Sequence, residues 1–293
     1  MAKTIKDTDY LVISARVKAL ETGLLTAERM EQILDAKSGE DAGKLLQEWG
    51  YPQLDPRRPE AMAAALSAVR EATLADLAEG TPDARYIDLF KVKYDYHNVK
   101  ALLKAEAVGT APDRMLMDMG RVSTAELAEA VRSRELDGLP ETLAAAVVEA
   151  REVLDTTRDP QLSDIVLDRW CYRDMAALAE ETGSAFLRGY VAVQVDAVNL
   201  RTAVRTLRMG KGADFLLGAL LEGGDLAPDA VAKAASSGAA GLRELYGATR
   251  FRDAAEAGAE ALKGGPLAAF AQLCDEALGD YLAGAQSVPF GEA

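Results

Sequence analysis

Histidine is almost missing from this chain. His97 is the single one in 293 residues, and cysteine occurs twice, as Cys171 and Cys274. A lone histidine excludes the two-histidine zinc and di-iron patterns. Two isolated cysteines read as buried reduced thiols of a cytoplasmic protein rather than as a structural disulfide. Aromatic residues make up only 6% of the chain. The longest apolar stretch, around Phe215 to Leu221, falls far short of the roughly 20 residues of a spanning helix, so direct membrane insertion is not expected. The opening Met1-Ala2-Lys3-Thr4-Ile5-Lys6-Asp7 has no apolar core and does not read as a signal peptide. Positive charge is in deficit, with 33 Lys and Arg against 47 Asp and Glu and a net charge of −14. A phosphate backbone demands a basic face, so nucleic-acid binding is excluded, and general adhesion to anionic lipid is disfavoured. Local basic patches remain available to acidic partners.

No segment alternates with period two, and no β-branched run is bounded by a hairpin turn. Alanine is abundant, and Ala, Leu, Glu and Arg are strong helix formers, so an all-α chain is expected. Its punctuation is legible. Ser123-Thr124-Ala125-Glu126 reads as a capping box, Thr81-Pro82, Asp159-Pro160 and Leu226-Ala227-Pro228-Asp229 as helix starts, and Gly264-Gly265-Pro266 as a stop followed by a start. After an opening helix over 9–20, helices are expected near 26–36, 40–48, 58–80 and 83–108. They continue near 112–119, 123–132, 141–155, 160–183 and 184–209. The last set lies near 213–222, 228–236, 239–246, 252–261 and 266–286. The order of short and long helices divides the chain into three similar stretches: 1–110 with the opening helix, 111–211, and 212–293.

One motif occurs twice. Asp95-Tyr96-His97-Asn98-Val99-Lys100 returns as Asp196-Ala197-Val198-Asn199-Leu200-Arg201, an offset of 101 residues. A polar signature repeated at a fixed period points to duplicated helical units and a scaffold. Each copy lies on an amphipathic helix, with Val99, Leu102 and Leu103 or Leu200, Ala203, Val204 and Leu207 on one face. The opposite stripe is basic: Lys93, His97, Lys100 and Lys104 in the first copy, Arg201, Arg205 and Arg208 in the second. Either these cations pair with acids on neighbouring helices, or they line a surface facing an acidic partner. Asp95 and Asp196 are expected near a helix start, where the dipole favours them. Asn98 and Asn199 are expected to bond across helices. A third copy would fall near position 297, past Ala293, so the third stretch reads as C-terminally truncated. Its long helix would then expose Leu267, Phe270, Leu278 and Leu282.

Nothing in the chain argues for catalysis, a cofactor or a metal. Gly210-Lys211-Gly212 is followed by Ala213 rather than Ser or Thr, and no strand precedes it, so it fails as a phosphate loop. No Asp-Asp-x-x-Asp cluster and no serine nucleophile elbow is present. Asp168 and Asp174, flanking Trp170, read as a solvated helix face.

These residues resemble a known family: the C subunit of the bacterial and archaeal V-type (A-type) ATPase/ATP synthase, counterpart of the d subunit of the eukaryotic V-ATPase. Four segments carry the resemblance. They are Asp9-Tyr10 with Ala15-Arg16-Val17-Lys18-Ala19-Leu20-Glu21 and Leu24-Leu25, the two Asp-x-x-Asn-aliphatic-basic helices, and the closing Val288-Pro289-Phe290-Gly291-Glu292. The resemblance implies three helical units about a pseudo-threefold axis, forming a funnel. It implies a non-catalytic part of the central stalk, on the cytoplasmic side of the cell membrane, peripheral to it. Its partners would be the shaft subunits D and F and the membrane proteolipid ring, in a machine coupling ion transport to ATP hydrolysis or synthesis. Asp95, Asn98, Lys100, Lys104, Asp196, Asn199, Arg201, Arg205 and Arg208 are the candidate partner-binding or repeat-motif residues. The competing reading is a generic all-helical scaffold or adaptor; an all-helical enzyme would need a cofactor cluster that the chain does not supply.

Overall fold

The structure, a computed structural model, describes residues 5–55, 57–112, 115–288 and 291. All regular structure among the described residues is helical, as composition and periodicity require. The residues up to Asp88 and those from Leu89 to Val288 form two compact units.

In the N-terminal unit, α1 (Leu11–Glu21) is followed by α2 (Ala27–Leu34), α3 (Gly39–Glu48) and α4 (Pro59–Gly80). Thr26 and Ser38 open α2 and α3 by accepting the backbone N–H of Arg29 and Asp41. Few side chains are fully covered here: Tyr10 and Ile13 are buried, and the Tyr10 ring meets Tyr86 edge-on at 6.0 Å. Thr81, expected to open the following helix, instead closes α4, its hydroxyl donating to the Leu77 carbonyl at 2.6 Å. The next helix, α5 (Arg85–Val108), starts after Asp83, whose carboxylate accepts the Arg85 N–H at 3.0 Å. A threonine hydroxyl serves a helix C-terminus as readily as an N-terminus, and the local sequence does not say which.

The second unit begins with α5 from Leu89 onward. It continues with α6 (Thr124–Ser133), α7 (Glu141–Thr157), α8 (Pro160–Thr182), α9 (Ala185–Arg208) and α10 (Ala213–Ala219). It ends with α11 (Pro228–Ser236), α12 (Gly238–Tyr246), α13 (Arg252–Leu262) and α14 (Leu267–Ala283). Ser123, Asp159 and Ser184 cap α6, α8 and α9 through their side-chain oxygens. The apolar face of α9, with Leu200, Ala203 and Val204, packs into a core made with Val231, Leu242, Tyr246, Phe251 and Phe270. Each large side chain buried there stabilises by about 1.5–3 kcal/mol. Gly258 on α13 lets that helix approach closely: a Cβ there would stand 3.0 Å from Val204 and 3.2 Å from Phe270.

Two expectations are overturned. The stretch 112–119 does not form a helix among its described residues, because both backbone groups of Met117 are taken by the Asn98 side chain; residues 113 and 114 lie outside the described set. The face of α14 is not left bare either: Phe270 is buried, Leu267 and Leu278 are half-buried against the α9 core and its neighbours, and Leu282 is half-buried. The Pro289-Phe290 lead-in falls outside the described residues.

Candidate functional site: two polar clamps on the repeated helices

Both copies of the motif build the same device. Asp95 lies well inside α5 and is fully buried, not at a helix start, so the dipole has no part in placing it. One of its carboxylate oxygens accepts the backbone N–H groups of Arg121 and Val122 at 2.9 and 3.2 Å. Asn98, three residues on and therefore on the same face, is also fully buried. Its amide donates to the Met117 carbonyl and accepts the Met117 N–H, both at 2.8 Å. The asparagine thus imitates a neighbouring strand, and its bond is to a loop rather than across helices.

On α9, Asp196 accepts the N–H groups of Asp225 and Leu226 at 3.1 and 3.2 Å. Asn199 pairs with both backbone groups of Leu221 at 2.8 Å. Leu221, Asp225 and Leu226 each follow Met117, Arg121 and Val122 by 104 residues. The repeat therefore extends beyond the helix into the loop it holds, with three residues inserted between. Glycine is required in both loops: a Cβ on Gly120 would overlap the Asp95 carboxylate, and one on Gly224 the Asp196 carboxylate. Both motif helices end alike. Gly109 and Gly210, again 101 apart, have φ of +68° and +67°, and Thr110 and Lys211 donate back to Ala105 and Thr206. Gly210-Lys211-Gly212 is thus a left-handed helix stop.

The clamps differ in charge. In the first, the Arg121 guanidinium donates to Asp95 at 2.7 Å and bidentately to Asp174 of α8 at 3.1 and 2.6 Å. Tyr96 and Thr142 also donate to Asp174, at 3.2 and 3.0 Å. Asp174 is therefore the buried end of an ionic chain, not part of a solvated face. Burial pushes the Asp95 carboxyl upward against the pull of Arg121, and the two carboxylates push the Arg121 guanidinium up despite its burial. In the second clamp Asp225 stands where Arg121 stands in the first, so among the described residues Asp196 has only N–H partners. Burial, with Asp225 adding repulsion, pushes its carboxyl up to about 6. The Tyr246 hydroxyl is buried without a hydrogen-bond partner among the described residues.

The basic stripe is largely engaged. Lys100 pairs with Asp168 and Lys104 with Asp164, both at 2.6 Å, tying α5 to α8. Arg201 pairs with Asp275 of α14 in the same way, and Arg208 donates to the Gly265 carbonyl at 3.0 Å. His97 makes a 2.9 Å bond between Nε2 and the Met115 carbonyl. Arg205 is exposed and has no acidic partner among the described residues. Cys171 and Cys274 are buried free thiols, pushed up by burial to about 12 and about 11. Chemically the clamps hold backbone; they place no nucleophile beside a base.

A family profile described as ATP synthase (C/AC39) subunit matches residues 13–293. The chain belongs to the ATP synthase (C/AC39) subunit family. Among members of this family, the C subunit of the V-type sodium ATPase of Enterococcus hirae is 24% identical over 222 residues, covering 75% of this chain and 68% of that one. The C subunit of the V-type ATP synthase of Thermus thermophilus is 28% identical over 256 residues, covering 81% and 79%. The C subunit of the A-type ATP synthase of Methanocaldococcus jannaschii is 22% identical over 225 residues, covering 71% and 56%. Membership makes the chain a rotary ATPase subunit in place of a generic scaffold. No helix among the described residues is long and apolar enough to cross a membrane.

The sequence reading missed Arg121, Asp174, Gly120 and Gly224. Gly120-Arg121-Val122 and Gly224-Asp225-Leu226 were detectable as a second repeat three residues out of step with the first. Asp174 had no such signal, because its equivalent is not repeated.

Proposed function

We propose that this chain is a non-catalytic central-stalk subunit of a rotary V/A-type ATPase. It joins a shaft of subunits D and F to a membrane proteolipid ring, peripherally on the cytoplasmic side. The observation that carries this reading is the family match over nearly the whole chain, together with relatives named as the C subunits of V-type and A-type machines. A coupler must transmit torque without deforming. Two buried clamps, each locking a loop to a long helix through hydrogen bonds to backbone, suit that task, since packed interiors resist compression. We further read 1–110, 111–211 and 212–293 as three units about a pseudo-threefold axis, forming a funnel that receives the shaft.

Most of the basic stripe is used within the protein, so its contact with an acidic shaft surface falls to the exposed Arg205 and its neighbourhood. The test is a pull-down of the purified chain with co-expressed D and F subunits at low and moderate salt. Salt-weakened binding is expected, because exposed charge contacts are screened over roughly 8–10 Å. Absence of binding to either the shaft or a proteolipid ring at low salt would sink the reading.

A further inference from the structure

Away from the clamps, a cleft of about 340 Å³ opens between α8, α10 and the start of α11. Arg169 and Arg173 line it from α8 and Leu217 from α10, together with Glu222 and Asp229. Neither arginine has an ion-pair partner among the described residues, although the chain carries 47 acidic residues. Arg169 makes a single 3.2 Å bond, to the Gly218 carbonyl, and its Nε is shielded from solvent with no acceptor. A guanidinium presents five N–H donors, so most of this one is unused, and a shielded orphan donor is costly. Arg173 lies over the Trp170 ring at 5.6 Å, and the Trp170 indole N–H is pinned to Glu149 at 2.7 Å. Leu217 is 47% exposed beside them.

The duplicated architecture does not account for this cluster. Asp168 and Asp275 receive Lys100 and Arg201 at matching positions, which aligns Arg169, Trp170 and Arg173 with Glu276, Ala277 and Asp280 of α14. The charges are reversed and the indole is absent in the second copy. Two arginines in a concave site, one of them lying over a flanking tryptophan, are residue types enriched at the centres of protein interfaces.

We propose that this cleft receives a carboxylate side chain of a partner protein, held by Arg169 and Arg173, with an apolar neighbour of that side chain resting on Leu217. The terminal N–H groups of a guanidinium fork fit a carboxylate bidentately. Glu222 and Asp229 line the same cleft and oppose a more highly charged anion, which favours a singly charged carboxylate over phosphate. Trp170 holds Arg173 in place beforehand, lowering the entropy lost on binding. The proposal rests on the reading of the chain as one subunit of an assembly.

The experiment is arginine modification by phenylglyoxal, followed residue by residue by mass spectrometry. The free chain is compared with the rotary complex purified through a tag on this chain. Arg173 and Arg169 are expected to react about tenfold more slowly in the complex, as contacts at a water-excluding interface do. An Arg169→Gln/Arg173→Gln chain is expected to keep its melting temperature while its affinity for the complex lacking it falls about tenfold or more. Equal reactivity of both arginines in an intact complex overturns the proposal and leaves the coupler reading standing. Failure of the tagged chain to bring down any shaft or ring subunit overturns both.

Discussion

Replacing Gly224 by alanine isolates the second clamp. Gly224 is not in the left-handed region, so backbone strain plays no part. The added Cβ would overlap Asp196 Oδ1 and stand 3.0 Å from Asp196 Cγ and 3.1 Å from Val195. The carboxylate has to move, and with it go the bonds from Asp225 and Leu226. Hydrogen bonds to a charged acceptor are worth about 1.5–3 kcal/mol each. Alanine returns about 0.4–1 kcal/mol by restricting the unfolded chain. The net loss is about 3 kcal/mol, which for a unit of this size lowers the melting temperature by about 6–12 °C. Calorimetry reads this directly. Gly279→Ala, on an exposed turn of α14 with open space around it, is the control and should be neutral or up to ~1 kcal/mol stabilising. A Gly224→Ala chain that melts within about 2 °C of the parent would refute the clamp as a stabilising device.

The first clamp should respond most to loss of its cation. Arg121→Met strands Asp95 and Asp174 in the interior, and urea unfolding should show a loss of about 3–5 kcal/mol. Asp196 titrates near 6 in the folded protein, above its ordinary value. Its contribution to stability is therefore full below about pH 4 and is lost as pH rises through 6. Asp225→Asn removes the like charge while keeping the N–H donor, so unfolding midpoints of the variant and parent should diverge as pH rises from 4 to 7, the variant being the more stable. Arg201→Glu should destabilise, since it opposes Asp275. Arg205→Glu should melt within ~0.5 kcal/mol of the parent yet bind the shaft less tightly at low salt. Cys171 and Cys274 should ignore a thiol reagent in the folded chain and react once it is unfolded, since burial disfavours both thiolates.

Helices were legible in the sequence because their causes are local. Ser123 and Asp159 announce starts within a few residues of the helices they cap, and Leu200, Ala203 and Val204 mark a buried face by spacing alone. The Asp-x-x-Asn repeat was legible for the same reason, and together with the opening and closing segments it carried the resemblance to the family. What Asp95 and Asn98 do was not, because their partners lie 19 to 27 residues away in a loop whose placement no periodicity encodes. The stretch 115–119 illustrates the override: it falls in the helix expected near 112–119, and a buried asparagine claimed the backbone groups a helix would use. Nor could charge alone divide the arginines. Arg201 pairs with Asp275 and Arg169 has no ion-pair partner among the described residues, yet in sequence both are basic residues on long helices. Composition and periodicity determined an all-helical chain, and four segments, the repeat among them, gave it its resemblance to a rotary ATPase family. Only the tertiary structure decided which polar groups are spent inside and which are left facing outward, because burial and partnership arise from contacts between residues remote in sequence.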